Sequence, residues 1–309
     1  MRSAKKWLVL VTVMVLTLSG FLSVSSAYAY DLLAISASTD TLYRFHAQTE
    51  QLKGLVDLTV ADDDNDVNPL GVYVGPRQTI YVASRADDSI IALDKHAGKH
   101  GGDVRVLVQP GSGELNDPFY IIERDGLIYV SSRLTNEIKR YDAVTGAFVD
   151  NFVKAGSGGL NKPRGIRFGP DGYLYVNSSG TDEVKLFDGL TGVYIETVLK
   201  DEVSVPCGLA FDVHGHMCVA SAKSNTVDPN PDPNRVGGVY CYDWATMDRI
   251  AQIEGNGSCG LDFGPEGHLY LAFTTDEKIG VYSLQHDKLK IIDDIPTPRG
   301  VAVWPRSNH

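Results

Sequence analysis

Beyond residue 29 the chain has no apolar run of membrane length. A helical anchor in that part is excluded, because crossing a bilayer takes about 20 consecutive apolar residues. Cysteines are few: 4 in all, lying between positions 207 and 259, with no Cys-x-x-Cys and no His-rich spacing beside them. That argues against a zinc site. Positive charge is scarce too, with 28 Lys and Arg against 39 Asp and Glu and a formal net charge of −11. An acidic surface repels phosphate backbones and anionic headgroups, so neither nucleic acid nor a membrane surface is an expected partner. The repeated Ser-x-Asp-x-Gly-x-Thr-Trp box of sialidases is missing, and no histidine pairs with a candidate nucleophile. Chemistry is therefore not announced by any motif.

What is present begins with a basic start, Arg2, Lys5 and Lys6, then an apolar run from Trp7 to Leu18 and a small-x-small site at Ala27-Tyr28-Ala29. These are the parts of a signal peptide over residues 1–29, cleaved before Tyr30. No cysteine follows the site, which argues against a lipoprotein anchor. Removing the segment takes three positive charges and no negative one, moving the formal charge from −11 to −14. The expected protein is exported, periplasmic or extracellular, with residues 30–309 as one domain.

That domain reads as one pattern repeated. The clearest copy runs from Asn161-Lys162-Pro163-Arg164-Gly165-Ile166-Arg167-Phe168 through Gly169-Pro170-Asp171-Gly172 to Tyr173-Leu174-Tyr175-Val176, then Leu186-Phe187-Asp188 and Thr191-Gly192. Alternating apolar residues mark four short strands, and the Gly, Pro, Asp and Ser clusters between them supply the turns. The pattern returns at Pro69, Pro118, Pro206, Ser258 and Pro298, so that the anchors stand 40 to 52 residues apart. Short, evenly punctuated strands at that period suit propeller blades. The last anchor supplies one strand before the chain ends, and Leu32 to Ile35, Thr41 to Phe45 and Gln51 to Leu55 fit the three that are missing. The expectation is an all-β, six-bladed β-propeller of four-stranded antiparallel blades, closed by a blade shared between the two termini, which leaves no open edge.

The recurring Pro-x-Gly-Ile/Leu-x-Phe-Gly-Pro-Asp/Glu-Gly-x-Leu-Tyr-Val string, with an aromatic-Asp third strand, resembles NHL-repeat propellers and the virginiamycin B lyase-like group. It spans almost the whole chain beyond residue 29, and it is blade grammar rather than active-site grammar. The resemblance implies that a site would lie on the face where chains enter the first strands, here termed the upper face. It also implies what a lyase would carry: Trp-Phe-Thr-Glu-type second strands and a histidine at the channel mouth. Here those strands read Tyr81-Val82-Ala83-Ser84 and Tyr129-Val130-Ser131-Ser132, and no histidine enters the channel.

Just after each anchor stand Leu70, Phe119, Arg164, Cys207, Cys259 and Arg299, while Arg85 and Arg133 follow two second strands. Four guanidiniums on one face of an acidic protein could clamp a carboxylate or phosphate, since Arg offers a planar fork of donors; pairing with Asp87, Asp88 or Asp117 is the competing reading. Asp62, Asp64 and Asp66, and the Pro-rich segment from Asp228 to Asn234, place oxygen side chains on the same face. Calcium is the cation they would suit, although neither segment has the Gly and Glu of an EF-hand loop. No cofactor is needed to fold such a ring. Cys218 and Cys241 align opposite each other on neighbouring strands, and Cys207 and Cys259 share a register on adjacent inner strands; both are expected disulfides, which export permits. His214, His216 and His268 fall on the opposite face, and His46, His96 and His286 in turns away from the mouth. The sequence thus favours a binding protein for a protein, peptide or small anionic ligand on the upper face, through Arg85, Arg133, Arg164, Arg299 and Phe119. The alternative is a calcium-dependent lactonase or ester hydrolase, or a lyase, on that same face.

Overall fold

A computed structural model of the chain describes residues 30–47, 49–61, 66–94, 104–222, 237–255, 258–283, 287–293 and 295–305. The expected signal peptide, Asp62, Asp64, His96, His286 and the segment from Asp228 to Asn234 lie outside the described residues. Six four-stranded antiparallel sheets form the fold. Blade 1 comprises Pro69–Val74, Ile80–Ser84, Ser89–Leu93 and Val104–Val108. Blade 2 comprises Pro118–Arg124, Leu127–Ser132, Glu137–Asp142 and Phe148–Val153, and blade 3 Pro163–Phe168, Leu174–Ser178, Glu183–Phe187 and Tyr194–Lys200. Blade 4 comprises Pro206–Phe211, His216–Ser221, Gly238–Asp243 and Arg249–Glu254; blade 5 comprises Ser258–Phe263, Leu269–Phe273, Lys278–Tyr282 and Lys288–Ile292. Blade 6 joins Pro298–Pro305 to Tyr30–Ser36, Thr41–His46 and Leu52–Asp57, the closure expected from the sequence.

The core sits between the blades. Tyr81, Ile90 and Leu107 of blade 1 pack on Ile121, Val130 and Tyr141 of blade 2. Tyr175 and Leu186 meet Leu209, Val219 and Tyr242 across blades 3 and 4. Each inner strand also touches the inner strands of both neighbouring blades, so the ring is continuous. Close approach there requires glycine in the third position of the inner strand in five of the six blades. A Cβ on Gly208 would lie 2.0 Å from the Cys259 carbonyl oxygen, one on Gly71 2.3 Å from that of Phe119, and one on Gly260 2.5 Å from that of Arg299.

Two polar devices repeat with the blades. The buried serine ending the second strand ties that strand to the chain entering the blade: Ser132 Oγ accepts from the Asn116 amide and donates to its carbonyl, as Ser178 does with Asn161 and Ser221 with Ser204. The turn after that serine carries an acid or amide that latches the next blade. Asp40 Oδ1 accepts the Asn68 amide, Asp88 that of Asp117, Asn136 that of Lys162 and Asp182 that of Val205, at 2.6 to 2.9 Å. Both partners of each latch have left-handed backbone, with φ from 43° to 60°. Asn and Asp tolerate that conformation; Val205, at φ 48°, is β-branched and strained there. Val205→Asn keeps the donating amide and is expected to stabilise the protein by about 1 kcal/mol, raising the thermal midpoint by about 2 °C.

Candidate anion site at the channel mouth

The anchor of each inner strand pairs with the last residue of the second strand, Pro118 with Ser132 and Pro163 with Ser178 for example. The chain entering a blade and the turn after its second strand therefore share the upper face. Immediately after the anchor the ladder breaks register: between Pro69 and Val72, Pro118 and Ile121, Pro163 and Ile166, and Ser258 and Leu261. Bulges of this kind re-aim side chains. In blade 3 this one lets Arg164 and Arg167, three residues apart, both face the axis, where strict alternation would separate them.

The upper tier is built around one carboxylate. Asp117 is only 4% exposed, and the Asp88 latch fixes its amide. Arg85, from the upper turn of blade 1, brings Nε within 2.9 Å of Asp117 Oδ1. Arg133, from the equivalent turn of blade 2, holds Oδ2 through Nε and a terminal nitrogen. The neighbouring-acid reading is thus right for Arg85 and Arg133. It does not extend to Arg164 and Arg299, which have no carboxylate partner among the described residues. The Arg164 guanidinium lies over the Phe119 ring, 5.1 Å from its centroid, and its Nε is shut off from solvent with no acceptor. Burial above all, and then Arg133, Arg85 and Arg299, pull Arg164 down to about 10, against the opposing Asp117. Arg299, at the exposed rim, is lowered as well, by desolvation of its guanidinium against the mouth and by Arg85. Four guanidiniums therefore converge with one carboxylate between them, leaving a net of three positive charges on an otherwise acidic protein.

The wall between Arg164 and Arg299 is covalent. Cys207 and Cys259 are joined across blades 4 and 5 with their Cα atoms 5.1 Å apart, and Cys218 and Cys241 are joined within blade 4. Both expected pairings are found. Leu70 and Phe119 complete an apolar rim.

Below this tier the channel is filled. Tyr120 occupies in blade 2 the position that is glycine in the other five, and its fully buried phenol reaches towards the Leu261 carbonyl of blade 5, at 3.5 Å. Arg167 bridges to Asp262 at 2.9 Å and lies over Tyr73, while the Val303 amide donates to the second Asp262 oxygen. Burial raises the Asp262 carboxyl, with Arg167 pulling it back. Arg167 and Asp262 meet across the axis because their strands reach the channel from blades 3 and 5. Tyr120, Arg167 and Asp262 thus form a floor beneath the upper tier.

Other expected residues lie elsewhere. Asp212 accepts His216 Nδ1 at 2.8 Å and the amides of His214 and His216 in the turn between the first two strands of blade 4, on the lower face. His268 lies 3.6 Å from Glu266 in the corresponding turn of blade 5. Asp66 is exposed. Among the described residues no three His, Cys, Asp or Glu side chains gather as a metal site.

No protein-family model matches the chain, and no curated protein matches it by sequence. Solved structures do match. A nidogen/laminin complex aligns with TM-score 0.70 and 16% identity over 89% of this chain and 98% of that one. A streptogramin B lyase aligns with TM-score 0.60 and 12% identity over 88% and 85%. A catalytically inactive virginiamycin B lyase from Staphylococcus aureus, solved with quinupristin, aligns with TM-score 0.54 and 14% identity over 88% and 78%. At such identities the likeness concerns architecture alone, and what it shows of this chain is a β-propeller of six four-stranded blades.

Proposed function

We propose that this chain is an exported NHL-type propeller that binds, on its upper face, an anionic group presented by a small ligand, a peptide or a protein. One observation carries the reading: Arg164, half-buried at the channel mouth among three other guanidiniums, has its Nε shut off from solvent with no acceptor. Burying an unpaired charge costs several kcal/mol in general. A fold that maintains such a cost at one point, with Asp117 and its latch holding two more arginines beside it, is organised for a charge that arrives from outside. Export is supported by the sequence of residues 1–29 and by two disulfides, which persist in oxidising compartments. A protein partner would use the same guanidiniums through an exposed acidic side chain.

Catalysis is less well supported. A hydrolase or lyase needs a base near its reacting group, and among the described residues the mouth offers one carboxylate, already held by Arg85 and Arg133. The test is a thermal-shift and calorimetric screen of small anions. Wild type is expected to be stabilised by phosphate or polycarboxylates, and Arg299→Ala, an exposed position, to lose most of that effect. Equal responses in the two proteins would place the ligand elsewhere.

A further inference from the structure

The two guanidiniums that have no carboxylate, Arg164 and Arg299, say what kind of anion would balance the site. Asp117 already serves Arg85 and Arg133, and its own backbone is pinned by Asp88. Those three side chains form a pre-assembled wall. That wall keeps one net positive charge, and Arg164 and Arg299 carry the other two. A monoanion answers one of them and leaves the other unmatched near a buried neighbour. A compact dianion answers both without disturbing the Asp117 wall.

Geometry adds a second constraint. The Arg164 guanidinium lies over the Phe119 ring and its Nε is shut off from solvent, so its terminal N–H groups are the ones left for a ligand. An Arg edge offers parallel donors to a pair of oxygens, and two such edges facing one centre suit an anion with at least three terminal oxygens. Tyr120, Arg167 and Asp262 close the channel beneath, so the charged end can go no deeper. The Leu70, Phe119 and disulfide rim flanks the mouth with apolar surface.

We propose that the site recognises the dianionic head of a small phosphate monoester, with Arg164 and Arg299 as its direct ligands and Arg133 and Arg85 completing the field. This rests on the reading of the mouth as an anion receptor and narrows it. A phosphate monoester has a second pKa of about 6 and carries nearly two charges at neutral pH.

The test uses two probes of nearly the same shape. Phenyl phosphate and phenyl sulfate are titrated calorimetrically into the protein at about pH 8, where the first is a dianion and the second a monoanion. Phenyl phosphate is expected to bind at least about tenfold more tightly, and Arg299→Ala to remove most of that preference. Arg164→Met is the second variant and should bind neither probe measurably. Equal affinities that both fall in Arg299→Ala would overturn the dianion proposal and leave the anion receptor standing. Failure of both probes to bind would overturn both. Phenyl phosphate binding unchanged in both variants would show that the ligands are not these arginines.

Discussion

Replacing Arg164 by Met should leave the ligand-free protein more stable than wild type, by about 1–2 kcal/mol, while abolishing anion binding. Met is close to the length of the Arg stem and can keep the contact with Phe119. What it removes is a charge whose pKa desolvation at the mouth pulls down to about 10. The sign with pH follows. A base whose folded pKa lies below its unfolded value is disfavoured in the fold wherever it is charged, so the penalty is complete below about pH 10. Above that the unfolded chain binds more protons than the folded one at this site, and the penalty fades. The stability difference between Arg164→Met and wild type should therefore be flat through neutral pH and shrink as pH rises beyond about 10. Urea unfolding of both proteins across that range measures it. A variant less stable than wild type at neutral pH would mean that Arg164 is satisfied in the fold and is no receptor for an external charge.

The largest loss of stability is expected from one methyl group at Gly208. Its Cβ would stand 2.0 Å from the Cys259 carbonyl oxygen and 2.2 Å from Leu261 Cδ2. The carbonyl is backbone in an inner strand tied through Cys207–Cys259, so it has little room to yield. Gly208→Ala is expected to cost about 3 kcal/mol or more, or to prevent closure of the ring altogether. Gly54, in the outermost strand of blade 6, is the control, since a Cβ there meets nothing within 4 Å. Gly54→Ala should be neutral or stabilise by up to about 1 kcal/mol. Similar losses at both positions would mean that glycine matters for chain flexibility rather than for the contact between inner strands.

The architecture was legible because its determinants are local and recur. Each blade states its turns in Gly, Pro, Asp and Thr and its strands in alternating apolar residues, and six statements of one rule compensate for an ambiguous copy such as the Ser258 blade. The same alignment predicted Cys218 opposite Cys241, because Tyr175 and Leu186 occupy those places in blade 3 and do pair. The set of mouth residues was legible for the same reason. Their chemistry was less so. Asp88 read as a possible partner for an arginine, and Asn136 and Asp182 drew no reading, yet their side chains join successive blades, a contact between residues more than 20 positions apart. The bulge that turns Arg164 and Arg167 to one side leaves no trace in alternation. Tyr120 did leave a signal, as the one bulky residue in a column of glycines. Its meaning, a side chain crossing the axis, needed the opposite blade. That Asp117 pairs with two of the arginines and not with all four is a matter of distance alone.

The most direct test of the mouth as an anion receptor is anomalous diffraction from crystals of the protein soaked in tungstate, a heavy tetrahedral dianion. The account predicts that the strongest tungsten peak lies over the channel, within hydrogen-bonding distance of both Arg164 and Arg299, and that it is lost in Arg299→Ala crystals. A mouth without tungsten while peaks form elsewhere on the surface would contradict it.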